Sequence, residues 1–375
     1  MLKCARTGMA ALLLVLASNA SGAPGDLILA DPVRETPPGA QAWTIRYRTT
    51  SDRGAPIEAS AMVVAPREAM PARPRRVIAW THGTWGVVER CAPSLSANFV
   101  TATPGLTEAV RAGYVVVAPD YPGLGTPGPH PFLVGPSAAR STLDAVRAAR
   151  SIAGAAAGDA LAVWGESQGG HAALWTGATA HGYAPDLKLV GVAAAAPPTE
   201  LVRNLNDASD PAARALMASY AAWSWSKHYG ASLAPFGKRP LQNVMLRLAQ
   251  NNCVELGKTP RLGTILGVLA VQRALAKVQF DRVQPWARLL RQNSAPLQGF
   301  STTVMILQGG QDKLVNPLVT RDYARRLCAQ GGRVRYVARP AAGHVEITRE
   351  TVGQTLDWIG NRFGGQRAAS DCRTL

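Results

Sequence analysis

The chain is predicted to fold as an α/β protein, with a mostly parallel sheet covered by helices on both faces. Short runs rich in β-branched residues recur along most of its length with helix-sized segments between them, the alternation that parallel strands joined by helical crossovers require. The composition, 47% hydrophobic and 17% charged over 375 residues, supplies a large core and excludes a disordered chain. No apolar run approaches the roughly 18 residues of a membrane-spanning helix; the longest candidates, 10–17 and 265–271, are far shorter.

Taken in order, eight strands are expected at 43–48, 59–64, 76–80, 114–118, 160–164, 189–194, 303–307 and 333–337. Only a turn containing Gly and Pro separates the first two, which should pair antiparallel at one edge. Helices are expected at 107–112, 136–153, 167–181, 317–328 and 348–362. The alternation fails across 200–301, which keeps helical patterning and carries Tyr220, Trp223, Trp225, Tyr229, Phe236, Phe280 and Trp286. A structureless loop of that length is implausible in a compact domain, so 200–301 should form a helical cap inserted between core segments 24–199 and 302–375.

The first residues carry Lys3 and Arg6, an apolar stretch over 9–17, and then Ser18, Ala20, Ser21 and Ala23. That layout is a secretory leader over 1–23, cleaved after Ala20 or after Ala23, and it predicts an extracellular or periplasmic protein. Of five cysteines, Cys4 falls in the leader, which leaves Cys91, Cys253, Cys328 and Cys372. An even number in an oxidising compartment reads as two disulfides, with three pairings open. A zinc site is not expected, because no two of these cysteines are close in sequence and no paired histidines accompany them. The net charge of +16 raises polyanion binding. The arginines are nevertheless scattered from Arg34 to Arg373 and no nucleic-acid module accompanies them, so a basic surface without nucleic-acid partners is the reading taken.

Chemistry concentrates after the strand at 160–164, which runs into Gly165, Glu166, Ser167, Gln168, Gly169 and Gly170 and then into a helix. Strand, G-x-S-x-G and helix together form a nucleophile elbow, a sharp turn that lifts a serine hydroxyl to the end of the sheet; the pattern without its flanks would be weak. A serine hydroxyl needs a histidine to take its proton and a carboxylate to orient that histidine. In this arrangement the order along the chain is Ser, acid, His, which removes His82 and His130. His171 and His181 sit on the helix after the elbow and His228 lies inside the cap, leaving His344 beyond the last strand. The acid should follow the penultimate strand, which selects Asp312. Two backbone N–H donors are needed for the tetrahedral intermediate. Gln168 is expected to supply one, and the loop 81–86 the other, through Thr84 with Trp85 in reserve.

Segments 81–94 (THGTWGVVERCAPS), 120–134 (DYPGLGTPGPHPFLV) and 138–150 (AARSTLDAVRAAR), with the elbow and both later triad segments, resemble the secretory lipases of the yeast lipase A type and their bacterial relatives. The likeness spans most of the mature chain, and the Gly and Pro spacing of 120–134 is its most specific part. It implies an α/β-hydrolase fold with its cap between the sixth and seventh strands, a secreted serine hydrolase of carboxylic esters, and no metal or organic cofactor. It also implies the pairing of Cys91 with Cys253 and of Cys328 with Cys372. One departure concerns the loop 82–86, where yeast members carry an acidic residue. The substrate expected is a small-molecule or lipid ester with a medium or long acyl chain, met at a transient lipid interface. The alternatives are an acyltransferase using the same triad and a non-catalytic binding protein on a hydrolase fold.

Overall fold

The computed structural model describes residues 22–68, 71–254 and 259–375, so the expected leader lies outside the described residues except for Gly22 and Ala23. The strands are β1 (Leu27–Val33), β2 (Ala40–Thr50), β3 (Pro56–Pro66), β4 (Arg75–Thr81), β5 (Val115–Pro119), β6 (Ala157–Glu166), β7 (Lys188–Ala195), β8 (Val304–Gly309) and β9 (Val334–Arg339). They form one sheet in the order β1-β2-β3-β5-β4-β6-β7-β8-β9, antiparallel from β1 to the β3–β5 pair and parallel from there to β9.

Among the described residues the sheet therefore has nine strands rather than the expected eight, and the pair β2–β3 is not its edge. β1 is. Its sequence contains Asp31 and Pro32, most of its side chains are exposed, and its register slips between Leu27 and Leu29. An edge strand tolerates a proline that an inner strand would not, and without a buried face it shows no alternation to read.

The helices are α1 (Leu106–Arg111), α2 (Gly135–Ala149), α3 (Gln168–Tyr183), α4 (Leu201–Asp207), α5 (Pro211–His228), α6 (Arg239–Asn251), α7 (Leu262–Leu275), α8 (Trp286–Asn293), α9 (Pro317–Ala329), α10 (Glu346–Glu350) and α11 (Val352–Phe363). Two of these replace the single helix expected at 348–362. Thr351 interrupts it, its hydroxyl turned back onto the carbonyls of Ile347 and Thr348 at 2.6 and 3.4 Å, a local bond that competes with the helical ladder.

The inner strands are apolar on both faces because both are covered. Val77, Val117, Val163, Val192 and Ile306 pack with Leu143 and Val146 of α2, Leu174 of α3 and Tyr323 of α9. Their neighbours Ile78, Val116, Trp164, Ala193 and Leu307 face the other way, onto Leu106 of α1 and Trp358 and Ile359 of α11. Period-two strands with both sets buried are what parallel sheets between helical layers produce. Between β7 and β8 the chain builds α4 to α8 around a core of its own, with Tyr220, Trp223, Trp225, Phe236, Met245, Phe280 and Trp286 packed together. This core also takes in Val87, Phe132 and Val134, which fasten it to the loops after β4 and β5. A disulfide between Cys91 and Cys253 ties the loop after β4 to the segment after α6, and a second joins Cys328 on α9 to Cys372 in the tail.

Candidate active site

The turn from β6 into α3 is dictated by crowding. A Cβ at Gly165 would lie 2.0 Å from Thr81 Oγ1, and one at Gly169 would lie 1.8 Å from the Thr81 carbonyl oxygen. Only glycine lets β4 and α3 come this close to the turn. Between them Ser167 holds φ +53°, ψ −121°, a left-handed backbone that a serine adopts only where its surroundings enforce it. Its N–H donates to the Ala195 carbonyl at 2.8 Å, and its carbonyl accepts from His171 N at 3.0 Å. The hydroxyl is left projecting at the carboxyl end of the sheet.

There it meets a histidine from the other end of the chain. Ser167 Oγ lies 2.8 Å from His344 Nε2, and His344 Nδ1 lies 2.8 Å from Asp312 Oδ2. Asp312 is buried and its Oδ1 accepts from the N–H groups of Leu314 (2.9 Å) and Val315 (2.8 Å), while Gln308 Nε2 donates to Oδ2 at 3.1 Å. A carboxylate can only accept, so the proton on the imidazole resides on Nδ1, and Nε2 is free to accept from the serine hydroxyl. The chain order Ser, Asp, His follows from topology: Asp312 stands in the turn after β8, and His344 in the turn after β9 at the sheet edge.

Gln168 is the first residue of α3, so its N–H has no intrahelical acceptor and points out of the helix end. Thr84 borders the same cavity as Ser167 and Gln168, whereas Trp85 borders only the space on the far side of Ser167 and spends its carbonyl on Val254 N at 2.7 Å. The loop is set by groups that sequence reasoning removed from the triad and gave no other task. His82 bonds through Nδ1 to the Gly83 carbonyl at 2.6 Å and packs on Tyr121 at 4.3 Å, and Tyr121 stacks on His130 at 5.8 Å. His130 Nδ1 donates to the Pro122 carbonyl at 3.0 Å, and its Nε2 accepts from the Gln168 side chain at 2.9 Å. Burial holds both rings neutral, pushing His82 down to about 4 and His130 to about 3. The spacing in 120–134 has its reason here. Gly123 (φ +79°) carries its α-carbon so close to the chain of His130 that a Cβ would meet His130 N at 2.4 Å.

Glu166, also overlooked in the sequence, borders the open side of Ser167 with His344, Thr84 and Arg349. Burial raises its carboxyl, against the opposing pull of the Thr348 hydroxyl, His344 and Arg349. On the other side of Ser167 a largely apolar cavity lies under the cap, lined by Phe132, Leu133, Leu201, Met217, Leu290 and Leu314 among others. Trp223, with Val268 and Val271 of the apolar run 265–271, turns into the core of the inserted helices, whereas Ile265, Leu266 and Leu269 of that run lie exposed on α7. Among the described residues no group of three or more His, Cys, Asp or Glu is placed to hold a metal ion.

Residues 99–221 match the family model of the secretory lipases. Lipase A of Moesziomyces aphidis is 25% identical over 361 residues, an alignment covering 89% of this chain and 75% of that protein. A Mycobacterium tuberculosis protein named "Probable inactive lipase" is 24% identical over 355 residues, covering 88% of this chain and 75% of its own. The crystal structure of Candida antarctica lipase A in its closed state superposes with a TM-score of 0.75 at 22% identity, over 94% of this chain and 85% of that one. The shared architecture is the α/β-hydrolase fold.

Proposed function

We propose that this chain belongs with the secretory lipases it resembles and, as a carboxylic ester hydrolase, cleaves esters of medium or long acyl chains through an acyl-enzyme on Ser167. Ser167 Oγ attacks the ester carbonyl as His344 Nε2 takes its proton, and Asp312 holds the imidazole in the required tautomer and stabilises the imidazolium. The N–H groups of Gln168 and Thr84 receive the oxyanion, the alkoxide leaves with the proton from His344, and water repeats the sequence to free the acid.

The observation that carries this reading is the continuous relay from Ser167 Oγ through His344 to Asp312, with 2.8 Å at each step. It matters because one relative is named a probable inactive lipase, so family likeness alone does not argue for turnover. A complete relay on a strained elbow does. The apolar cavity beside Ser167 supports the chain-length preference, since each methylene buried there contributes about 0.8 kcal/mol, or roughly fourfold in kcat/KM.

Export is supported by the leader composition and by the two disulfides, which persist in an oxidising compartment. A transient lipid interface is supported by α7, which exposes Leu262, Ile265, Leu266 and Leu269 next to Arg261.

Labelling by a fluorophosphonate probe, with initial rates on p-nitrophenyl esters from acetate to palmitate, tests the proposal. Labelling should map to Ser167 and disappear in Ser167→Ala, which should keep the fold and lose all but the activity the oxyanion donors support. A Ser167→Ala enzyme retaining more than about a hundredth of the wild-type rate overturns the assignment. A steady fall in kcat/KM from acetate to octanoate overturns the acyl-chain preference.

A further inference from the structure

The cavity beside Ser167 is apolar along most of its wall; besides Thr84, Ser167 and Gln168 at its catalytic end, two of its lining residues, Asn204 of α4 and Arg214 of α5, carry polar side chains. Asn204 is buried. Its Nδ2 donates to the Glu200 carbonyl at 2.9 Å, which fixes the orientation of the amide, and its Oδ1 has no hydrogen-bond partner among the described residues. A buried acceptor left without a donor keeps the full cost of its lost hydration.

Arg214 is held in place by main-chain oxygens alone. Nε donates to the Leu205 carbonyl, Nη1 to Leu275 at 2.8 Å and Nη2 to Val278 at 2.9 Å, and the guanidinium lies 5.2 Å from the centre of the Phe280 ring. A guanidinium carries five N–H groups, so two remain unspent. Among the described residues no carboxylate pairs with it, and burial presses the group below its ordinary value. Three carbonyls explain how the side chain is oriented. They leave the remaining N–H groups of a residue that lines the cavity without an acceptor among the described residues.

Position adds to this. The carboxyl-terminal end of α5 is bound near the elbow: Ser224 Oγ donates to the His130 carbonyl at 2.7 Å and Trp225 Nε1 to that of Phe132 at 2.8 Å, and the His130 ring takes the Gln168 side chain. Arg214 stands about three turns away on the same helix, roughly 16 Å from Trp225.

We propose that Asn204 and Arg214 form a hydroxyl-binding site remote from Ser167 in the acyl cavity, so that the preferred acyl group carries a hydroxyl far from its ester carbonyl. A hydroxyl is the group that satisfies both: it donates to Asn204 Oδ1 and accepts from an unspent N–H of Arg214. A carboxylate would pair with the guanidinium but set a second acceptor against Asn204 Oδ1. A methyl group would leave both unpaired. A site built to hydrogen-bond a substrate hydroxyl discriminates strongly against the analogue that lacks it.

The inference rests on the ester-hydrolase reading, and its test separates the two. kcat/KM is measured for p-nitrophenyl octanoate, decanoate and dodecanoate, for their ω-hydroxy counterparts and for the matching ω-carboxy half-esters. At one of these lengths the hydroxy ester should exceed the plain ester by about tenfold or more. In Asn204→Leu the ratio should invert in favour of the plain ester, and in Arg214→Met it should fall toward one. Because the ratio is internal to each preparation, partial loss of folded enzyme cancels. Plain esters equal or better at every length, a ratio unchanged in Asn204→Leu, or a preference for the ω-carboxy esters would each overturn the hydroxyl site while leaving the hydrolase intact. Hydrolysis of no ester at all, with Ser167 unlabelled, would overturn the underlying reading and the site with it.

Discussion

Replacing Asp312 by Asn changes one atom and should cost nearly the whole rate, and the hydrogen bonds around the carboxylate show why. Oδ1 accepts from Leu314 N and Val315 N at 2.9 and 2.8 Å. An amide keeps those two bonds only if its oxygen takes the Oδ1 position; turning the nitrogen there would set it against two buried N–H donors, at about 1–3 kcal/mol each. The NH2 group is therefore directed to the Oδ2 position, where it donates to His344 Nδ1. That forces the ring proton onto Nε2, the atom that must accept from Ser167 Oγ. In a serine protease the same change of acid lowers kcat by about 10⁴ through the wrong tautomer, and four decades correspond to about 5.4 kcal/mol of transition-state stabilisation. The fold should be spared, with Tm within a few degrees of wild type, because both main-chain bonds survive. Asp312→Ala, which loses them, should melt lower. Initial rates on a p-nitrophenyl ester, the fluorophosphonate labelling rate and thermal melts of both variants measure these quantities. An Asp312→Asn enzyme within about tenfold of wild type would refute the reasoning, since Asp312 would not be setting the tautomer.

Three further outcomes are expected. Burial holds His82 and His171 at about 4 and His130 at about 3, below the ordinary 6.5, so the unfolded chain takes up protons first as pH falls. The histidine contribution is thus fully present above about pH 6.5 and lost from there toward 4 by about 1.4 kcal/mol per unit for each histidine; Asp120 and Asp144, whose carboxyls burial raises, act in the opposite sense. A Tm that is flat between pH 7 and pH 5 would contradict this. The Cys91–Cys253 bridge closes a loop of 162 residues and Cys328–Cys372 one of 44. Chain entropy values them at about 5 and 4 kcal/mol, so paired Cys→Ser variants in denaturant should rank the first as the costlier; the reverse order would count against that account. On α7, Leu262→Ser with Leu266→Ser should lower the ratio of emulsified triacylglycerol to soluble-ester turnover several-fold, about 1 kcal/mol or more of interfacial contact, and an unchanged ratio would remove α7 from the interface.

What the amino-acid order reveals of this molecule is what the backbone itself enforces. The elbow was legible because Gly165 and Gly169 answer to crowding by Thr81, a constraint that leaves glycine no substitute. The helices between β7 and β8 were legible as a failure of alternation, and Asp312 and His344 as the loop residues following the last two strands. β1 escaped because Pro32 and an exposed face erase the signs by which strands are read. The destinations of side chains escaped more often, since they depend on contacts between segments far apart in the chain. His82 and His130 could be excluded from the triad by order alone, but their work beneath the loop 82–86 and Gln168 needs Tyr121, Pro122 and Gly83 around them. Arg214 was one arginine in a chain whose excess charge reads as a basic surface. Its carbonyl partners come from residues 205, 275 and 278, and only their convergence turns one arginine among many into a residue that lines the cavity. The same long-range packing that hid Arg214 holds it where it is, which is why a substrate feature, rather than further sequence, is the natural probe of what it binds.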